Sequence, residues 1–362
     1  MSLKWNLGPH VTFEADRNLR DVLVSSTPPT RPLVFHGREE FIEKSVDALV
    51  ATSSANIAIM GGGGMGKTAA ALVILHHERI AETFGRHRYF VSCETASNAE
   101  TVLGHLALVL SLQHSTDPLS SIVDHLSTGP RTLLVLDNLE TAWLVEEHTQ
   151  RTRVEKLLAC LAALPTINLI TTCRGNTLPP EVLWANPGNA SLPRISLHAA
   201  RRTFVDIAGC PPLAEEEAVL DSLLEEFDCM PLAVTLAARL GQRGLLPSAL
   251  FARWERSRTR LLQTHKSGRS ENLDACLGIS IDLLRNASRN EEPLKLLTIC
   301  SDGSNGLKAD LFEGLRGEFE DIDAARDLLE THALLEVGRD GELVVRSPLR
   351  HYIRRYHPVI KG

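Results

Sequence analysis

Short continuous apolar runs alternate with longer segments of helical spacing over residues 41–173. The short runs predict buried strands, because a parallel strand covered on both faces is apolar at nearly every position. We expect strands at 56–60, 88–92, 132–137 and 168–173, and a last short strand at 194–197. The segments between them predict helices, the first at 67–83, so the pattern indicates an α/β fold with helices on both faces of a mostly parallel sheet.

The strand pattern ends near residue 198, and helical segments follow it. They span 200–208, 215–227, 232–241 and 248–262, with prolines between them, and predict a small helical bundle. A polar stretch with a glycine at 264–270 predicts a linker. Beyond it, three helical segments precede two short apolar runs around Asp340-Gly341, which is the pattern of a winged helix.

These changes of pattern divide the chain into a tail and three domains. Residues 1–30 predict an N-terminal tail or linker, because their periodicity is weak and they end in a proline-containing polar stretch. The expected domains are an α/β domain at 31–197, a helical bundle domain at 198–263 and a winged-helix domain at 264–362.

Composition narrows the class of protein. The chain of 362 residues is 43% hydrophobic and 23% charged, as in an ordinary folded protein. Its formal net charge of −7, from 38 Lys and Arg against 45 Asp and Glu, argues against nonspecific coating of nucleic acid. No apolar segment approaches the roughly 20 residues that span a bilayer, and the seven cysteines lack zinc-ligand spacing. We therefore expect a cytoplasmic protein with reduced thiols and no membrane partner.

The strongest chemical signal follows the first predicted strand. Residues 61–68 read GGGGMGKT, which satisfies the P-loop pattern GxxxxGK[ST] between a strand and a helix. Glycines let main-chain N–H groups surround a phosphate, and a helix N-terminus adds partial positive charge. Lys67 is expected to neutralise the β- and γ-phosphates, and Thr68 to bind Mg²⁺. The predicted nucleotide-binding residues of this P-loop nucleotide-binding domain are Gly61, Gly62, Gly63, Gly64, Met65, Gly66, Lys67, Thr68 and Ala69.

Two further predicted strands end in charged residues. Asp137 follows the run LLVL and is expected at the sheet edge where ligands of open α/β sheets bind, so that its carboxylate holds Mg²⁺. The alternative is a turn residue at a strand end. Arg174 follows the run NLITTC and would face the γ-phosphate if its strand neighbours the first one, with a surface arginine as the alternative. Lys67, Asp137 and Arg174 are the candidate catalytic residues, and Thr68 and Asp137 the candidate metal ligands.

The residue after Asp137 bears on the rate of hydrolysis. Many P-loop ATPases place a glutamate there to polarise the attacking water, whereas this chain has Asn138. Because asparagine does not accept a proton, we expect slow turnover unless another carboxylate reaches the water. Glu140 is the nearest candidate, and a solvated acid at a helix start is the favoured alternative for it.

The order of these motifs resembles that of the NB-ARC and related STAND nucleotide-switch ATPases, which are AAA+-related signalling proteins. The resemblance covers residues 31–356 and rests on FHGRE at 35–39, the P-loop, LLVLDN at 133–138, ITTCR at 170–174 and CMPLA at 229–233. Residues 137–143 are similar to those of fungal members. The resemblance implies that Arg38 helps to hold the nucleotide and that Pro231 lies against the adenine.

The chain departs from that family in two places. Cys229-Met230 replaces the family's Gly-Leu in front of Pro231. The family's Met-His-Asp motif, whose histidine contacts the β-phosphate of ADP, has no counterpart in VRSPLR at 345–350. By position, the resemblance offers Arg346 for the phosphate contact, and an exposed arginine at a strand end is the alternative.

Together these features predict an ATP/ADP-binding molecular switch with weak, slow ATP hydrolysis, in which the nucleotide controls the packing of the helical and winged-helix domains. The expected cofactors are ATP or ADP with Mg²⁺, and the expected partners are proteins, by self-association or as effectors or sensors. The alternative is a nucleic-acid-associated AAA+-like ATPase, which the acidic segment 321–331 disfavours. A small-molecule kinase is a third possibility, for which no lid arginines are identified.

Overall fold

The computed structural model describes most of the chain. The described residues are 28–112, 116–144, 147–174, 178–185, 192–262, 277–278, 281, 284–285, 288, 290–302, 307–331, 334–337, 341–345 and 347–357. Most of the predicted tail, the predicted linker at 264–270 and Arg346 lie outside these ranges. Within them, no helix is both long enough and apolar enough to cross a bilayer.

A four-stranded parallel sheet forms the centre of the N-terminal half. Its strands are β1 (Asn56–Met60), β2 (Arg88–Ser92), β3 (Thr132–Asp137) and β4 (Ile167–Cys173), in the order β1-β4-β3-β2. Every residue of β1, β3 and β4 is buried, whereas the edge strand β2 is partly exposed. Continuous apolar runs are therefore the strands that are covered on both faces. The predicted α/β class is confirmed: the chain has a parallel sheet flanked by helices on both faces.

Helices cover both faces of the sheet. Neighbouring side chains of a strand point to opposite faces, so an apolar strand has apolar side chains to bury on each face. On one face, α1 (Glu39–Ala51), α2 (Lys67–Leu75) and α3 (Glu78–Phe84) pack around Ile57 and Ile59 of β1. On the other face, the side chains of Ala58 and Met60 join those of four further helices. These helices are α4 (Ala99–Val109), α5 (Pro118–Thr128), α6 (Glu140–Trp143) and α7 (His148–Ala162).

The C-terminal half is mainly helical and has a core of its own. Buried apolar side chains form one continuous cluster that begins at Ile195 and ends at Ile353. A short antiparallel pair, β5 (Glu336–Val337) and β6 (Leu343–Val344), lies among the last helices, and Leu307 pairs with Leu343 beside it. The helices are α8 (Leu197–Ala208), α9 (Glu217–Glu226), α10 (Pro231–Gln242), α11 (Pro247–Leu262), α12 (Glu292–Asp302), α13 (Ala309–Gly314), α14 (Ile322–Thr331) and α15 (Ser347–Tyr356), with 3₁₀ turns at Ala214–Glu216 and Arg316–Glu318.

Two local predictions are wrong, and helix capping explains both. No strand forms at 194–197, because Ser196 caps α8 by accepting a hydrogen bond from the N–H of Ala199. The helix predicted at 67–83 is two helices, since α2 ends before His76 and His77 caps α3 by accepting from the N–H of Arg79. A side chain that satisfies an otherwise unpaired N–H group at a helix start favours a new helix at that residue.

Candidate functional site

The candidate site lies at the C-terminal edge of the sheet. β4 lies between β1 and β3, with Met60 opposite Cys173 and Leu136 opposite Thr171. The glycine-rich loop after β1, the acid that ends β3 and the arginine after β4 therefore converge on one edge. Open α/β sheets bind their ligands at this edge, outside the carboxyl ends of the strands.

The loop between β1 and α2 has a backbone shape that only glycine adopts easily. Gly64 and Gly66 have φ angles of +76° and +80°, in the left-handed region. Gly66 is the N-cap of α2, and no side chain caps the helix there. The first N–H groups of this nine-residue helix therefore face the loop without a side-chain acceptor at the N-cap. A loop of this shape followed by a helix N-terminus is the arrangement that binds phosphate groups.

Lys67 lies over the loop that precedes it. Its Nζ donates hydrogen bonds of 3.0 Å to the carbonyl oxygens of Gly61 and Gly62, and the residue is only 7% exposed. Burial lowers the pKa of Lys67, and the negative charge of Glu140 opposes that shift. The side chain is therefore a buried cation at the point where the motif predicts the β- and γ-phosphates.

Thr68, Asp137 and Thr172 form a buried hydrogen-bonded group. The hydroxyl of Thr68 lies 2.9 and 3.0 Å from the two carboxylate oxygens of Asp137, and the hydroxyl of Thr172 lies 2.6 Å from one of them. Burial raises the pKa of Asp137 to about 6, although both hydroxyl groups lower it. A hydroxyl and a carboxylate are hard oxygen ligands of the kind that Mg²⁺ prefers, so this group fits the predicted metal.

Thr172 was not predicted from the sequence. It is fully buried, and it also accepts a hydrogen bond of 2.9 Å from the N–H of Asn138. The signal that identifies it is positional: it is the next-to-last residue of β4, the strand beside β3, so its side chain can reach the end of β3. Its role is to hold the carboxylate of Asp137 in place.

Asn138 follows Asp137 in an unusual conformation. Its φ angle is +58°, in the left-handed region that asparagine tolerates better than most side chains. A glutamate at this position would carry a backbone strain of roughly 1–2 kcal/mol. The local fold thus accounts for an asparagine at the position where many P-loop ATPases have a glutamate.

Arg174 and Glu140 form an ion pair beside the loop. The Nε of Arg174 lies 3.1 Å from Oε1 of Glu140, whose side chain is only 12% exposed. A Cβ built on Gly63 would lie 3.7 Å from the guanidinium carbon of Arg174. The favoured expectation that Glu140 is a solvated acid is therefore wrong. Arg174 lies next to the loop between β1 and α2, and its contact with the γ-phosphate stays a prediction.

Arg38 and Pro231 both approach the last glycine of the loop. A Cβ on Gly66 would lie 3.0 Å from Nη1 of Arg38 and 3.9 Å from Cβ of Pro231. Arg38 is 3% exposed, donates to the carbonyl of Pro193 at 3.0 Å, and burial lowers its pKa to about 10. Its Nε is buried and makes no hydrogen bond to any described residue. It is a buried cation with a donor left over, which suits an anionic ligand.

The start of α10 contacts the loop directly. The N–H of Leu232 donates to the carbonyl of Gly64 at 3.2 Å. A Cβ on Gly64 would lie 3.1 Å from Sδ of Met230, so this side chain occupies the space that the glycine leaves. The helical half therefore packs on the phosphate loop itself.

Arg350, on α15, contacts the same edge of the sheet and was not predicted. Its Nη1 lies 3.1 Å from Oε1 of Glu94, and its Nη2 donates to the carbonyl of Val345 at 2.8 Å. Glu94 follows Cys93, whose N–H donates to the carbonyl of Asp137 at 2.7 Å. The last described helix is thus joined to the loop after β2. Arg346, which the resemblance offered for a phosphate contact, lies outside the described residues.

Comparisons with known proteins give structural likeness only. No family model matches the chain, and no curated protein sequence matches it. Solved structures similar to it include the Walker-type ATPase PABY2304 of Pyrococcus abyssi, at 13% identity and a TM-score of 0.45 over 92% of this chain and 99% of that one. A point mutant of Thermotoga maritima RuvB is similar at 15% identity and a TM-score of 0.37, over 90% of this chain and 98% of that one. Cdc6p of Pyrobaculum aerophilum is similar at 14% identity and a TM-score of 0.41, over 91% of this chain and 96% of that one.

Proposed function

We propose that this protein is an ATP/ADP-dependent molecular switch of the NB-ARC and STAND type that hydrolyses ATP slowly. The observation that carries the proposal is the contact of α10 with the phosphate loop, through Leu232 and Gly64. Because α10 is hydrogen-bonded to this loop carbonyl, a change in the conformation of the loop would move the start of the helix. The loop changes its contacts when the number of bound phosphates changes, so the packing of the helical half would follow the nucleotide.

The residues at the sheet edge fit a nucleotide with Mg²⁺. Main-chain N–H groups of 61–66 and the N-terminus of α2 would hold the phosphates, and Lys67 would neutralise their charge. Thr68 and Asp137 would hold the metal, whose chemistry is to neutralise charge that develops on the β- and γ-oxygens. Arg174, beside Gly63, would contact the γ-phosphate and so distinguish ATP from ADP.

Arg38 and Pro231 are proposed to border the nucleotide on the side of Gly66. Both lie close to that glycine, and the family resemblance implies nucleotide contacts for both. Adenine is the proposed base, because the sequence has no motif typical of guanine recognition. Arg38, with its buried free donor, would add a charge-assisted hydrogen bond to the bound nucleotide.

The C-terminal part is proposed to be a winged-helix domain that closes over the site. Among the described residues, the order of α12, α13 and α14, a short antiparallel pair and then α15 supports this assignment. The ion pair of Arg350 with Glu94 supports closure, because it joins α15 to the loop beside Asp137. In this chain Arg350 would take over the locking role that a histidine has in the family, by binding protein where the histidine binds phosphate.

A nucleic-acid partner is the alternative. The contacts that the arginines near the C-terminus make within this chain argue against it. Arg350 is 4% exposed and pairs with Glu94. Arg354 donates to the carbonyl oxygens of Ser301 and Asp302, both at 2.6 Å. Cations that bind their own protein are not available to phosphate backbones, so protein partners are the better proposal.

The test combines nucleotide affinity with shape. Titration calorimetry with ATP·Mg²⁺ and ADP·Mg²⁺ should show that the wild type binds both nucleotides. Lys67→Ala should lose most of this affinity, because it removes the ammonium group that neutralises the phosphates. Small-angle scattering should then give a larger radius of gyration with a non-hydrolysable ATP analogue than with ADP. Binding without any difference in shape would contradict the switch and leave an AAA+-like ATPase as the account.

A further inference from the structure

Glu140 is a buried carboxylate that is only partly satisfied. It lies three residues after Asp137 at the start of α6, and its Oε1 is 3.1 Å from Nε of Arg174. Its Oε2 is buried and makes no hydrogen bond to any residue that the structure describes. A buried acceptor without a partner is unfavourable, so its presence at the edge of a site points to a ligand or water that completes it.

The surroundings place Glu140 at the reacting end of the site. Burial, with a smaller contribution from the Glu140 charge, raises the pKa of Cys173 to about 12. The same charge acts on Lys67 and Asp137. Arg174 connects Glu140 to the loop, because its guanidinium also lies against Gly63. Glu140 is therefore close to the groups expected around the γ-phosphate.

The position after Asp137 is closed to a catalytic glutamate. The left-handed backbone of Asn138 disfavours a longer side chain there, and its N–H is held by Thr172. Among the described residues, two carboxylates other than Glu140 lie at this edge, and both are engaged: Asp137 by the Thr68 and Thr172 hydroxyl groups, and Glu94 by Arg350.

We infer that Glu140 is the catalytic base of the site and that Arg174 holds it until the γ-phosphate binds. The inference deepens the proposed switch and rests on it. Arg174 would exchange the Glu140 carboxylate for the γ-phosphate, which carries more charge and presents more acceptor oxygens. Before ATP binds, the ion pair keeps the base occupied, so hydrolysis requires a correctly placed γ-phosphate.

The released Glu140 carboxylate accepts a proton from the attacking water. The water oxygen forms a bond to the γ-phosphorus, and the bond between that phosphorus and the β,γ-bridging oxygen breaks. The electron pair of that bond stays on the oxygen of ADP. The proton then passes from Glu140 to solvent, and the products are ADP and inorganic phosphate.

Glu140→Gln tests both roles at once, because it keeps the shape of the side chain and removes the charge that pairs with Arg174 as well as the proton acceptor. We expect the single-turnover rate to fall by a factor of about 10² or more. ATP·Mg²⁺ should bind several-fold more tightly, since Arg174 no longer has a competing carboxylate, while ADP·Mg²⁺ affinity stays unchanged. In Arg174→Ala, ATP affinity should fall and ADP affinity should not.

The chain offers a matched control. Arg151 and Glu155 form an ion pair with the same atoms at the same distance, Nε to Oε1 at 3.1 Å, in α7. Glu155→Gln should leave the turnover rate and both affinities unchanged. Thermal unfolding of each variant without nucleotide identifies folded protein, and Glu140→Asp, which keeps the charge but shortens the reach, replaces Glu140→Gln if the latter is unfolded.

The outcomes separate the inference from the proposed function. No binding of either nucleotide by the wild type would reject the switch, and the inference with it. Normal binding and hydrolysis in Glu140→Gln would reject the base and leave the switch intact. Reduced hydrolysis with unchanged ATP affinity would reject the exchange by Arg174.

Discussion

The N–H of Leu232, at the start of α10, donates a hydrogen bond of 3.2 Å to the carbonyl of Gly64 in the phosphate loop. This bond joins the first turn of α10, in the helical half of the molecule, to the glycine-rich loop of the other half. Pro231 sets the helix start, because proline is favoured in the first turn of a helix and leaves the next N–H free to donate outward. In the proposed switch, this bond would connect a phosphate held by the loop to the packing of the helical half.

Gly64→Ala tests this contact. An alanine Cβ would lie 3.1 Å from Sδ of Met230 and 3.2 Å from Cβ of Leu232, in a left-handed backbone. We expect a strain of roughly 1–2 kcal/mol that separates α10 from the loop and weakens nucleotide binding about tenfold. Gly62→Ala is the control, since its Cβ would meet only Met65 at 3.8 Å. Equal affinities in the two variants, measured by calorimetry, would contradict the role of the contact.

Glu94→Gln tests the closure by α15. The Glu94 side chain is 24% exposed and its partner Arg350 only 5%, so loss of the charge leaves a buried arginine less well paired. We expect ADP to dissociate about threefold to tenfold faster, which corresponds to roughly 1 kcal/mol. Stopped-flow release of a fluorescent ADP analogue measures this rate. Asp47→Asn, which breaks the exposed pair with Arg79, is the control and should leave the rate unchanged.

Thr172→Val tests the support of the metal-binding carboxylate. The variant removes a donor to Asp137 and an acceptor for the N–H of Asn138, and the free energy of unfolding should fall by roughly 1–3 kcal/mol. Thr171→Val is a control of the same chemistry one residue away. The hydroxyl of Thr171 is buried and makes no hydrogen bond to any described group, so its removal should be neutral or stabilising. Similar losses in urea unfolding of both variants would contradict the assignment.

The raised pKa of Asp137 predicts a pH dependence with a definite sign. Burial raises this pKa from 3.8 to about 6, so the folded protein favours the protonated acid. The protonated Asp137 therefore contributes its full stabilisation of the folded protein below pH 3.8. This contribution is lost as the pH rises through about 6, which lowers the free energy of unfolding by roughly 3 kcal/mol. In Asp137→Asn this part of the pH dependence should disappear, so the difference in unfolding free energy between variant and wild type should grow between pH 4 and 6.5.

Metal binding should show the opposite trend with pH. Mg²⁺ requires the ionised carboxylate, so the Mg²⁺-dependent part of ATP affinity should decrease as the pH falls below about 6. ATP binding in the presence of EDTA is the control and lacks this decrease. A Mg²⁺ contribution that is constant from pH 5 to 8 would exclude Asp137 as the titrating ligand.

Three strands of the sheet could be predicted from the sequence because they are buried along their whole length. β1 and β3 are almost wholly apolar, and the buried β4 is rich in apolar and β-branched residues. The P-loop could be predicted for the same kind of reason, since its backbone shape requires glycines at fixed spacing. Asp137 followed from its place at the end of a strand.

The contacts between distant segments could not be predicted from local patterns. Glu140 and Arg174 meet because β4 lies beside β3, and the sequence alone does not state this strand order. Arg350 and Glu94 are separated by most of the chain, and neither belongs to a motif. The break between α2 and α3 was missed because two histidines carry no strong helix-stop signal, although one of them caps the second helix.

The proposed protein is a nucleotide switch that closes over ADP and hydrolyses ATP slowly. The most direct measurement is to purify the protein without added nucleotide, denature it, identify what is released, and record steady-state ATP hydrolysis on the same preparation. We expect nearly stoichiometric ADP and very slow turnover in the wild type, and no nucleotide in Lys67→Ala. An empty site with rapid turnover, above all if DNA stimulates it, would contradict the switch and indicate a working AAA+-like ATPase.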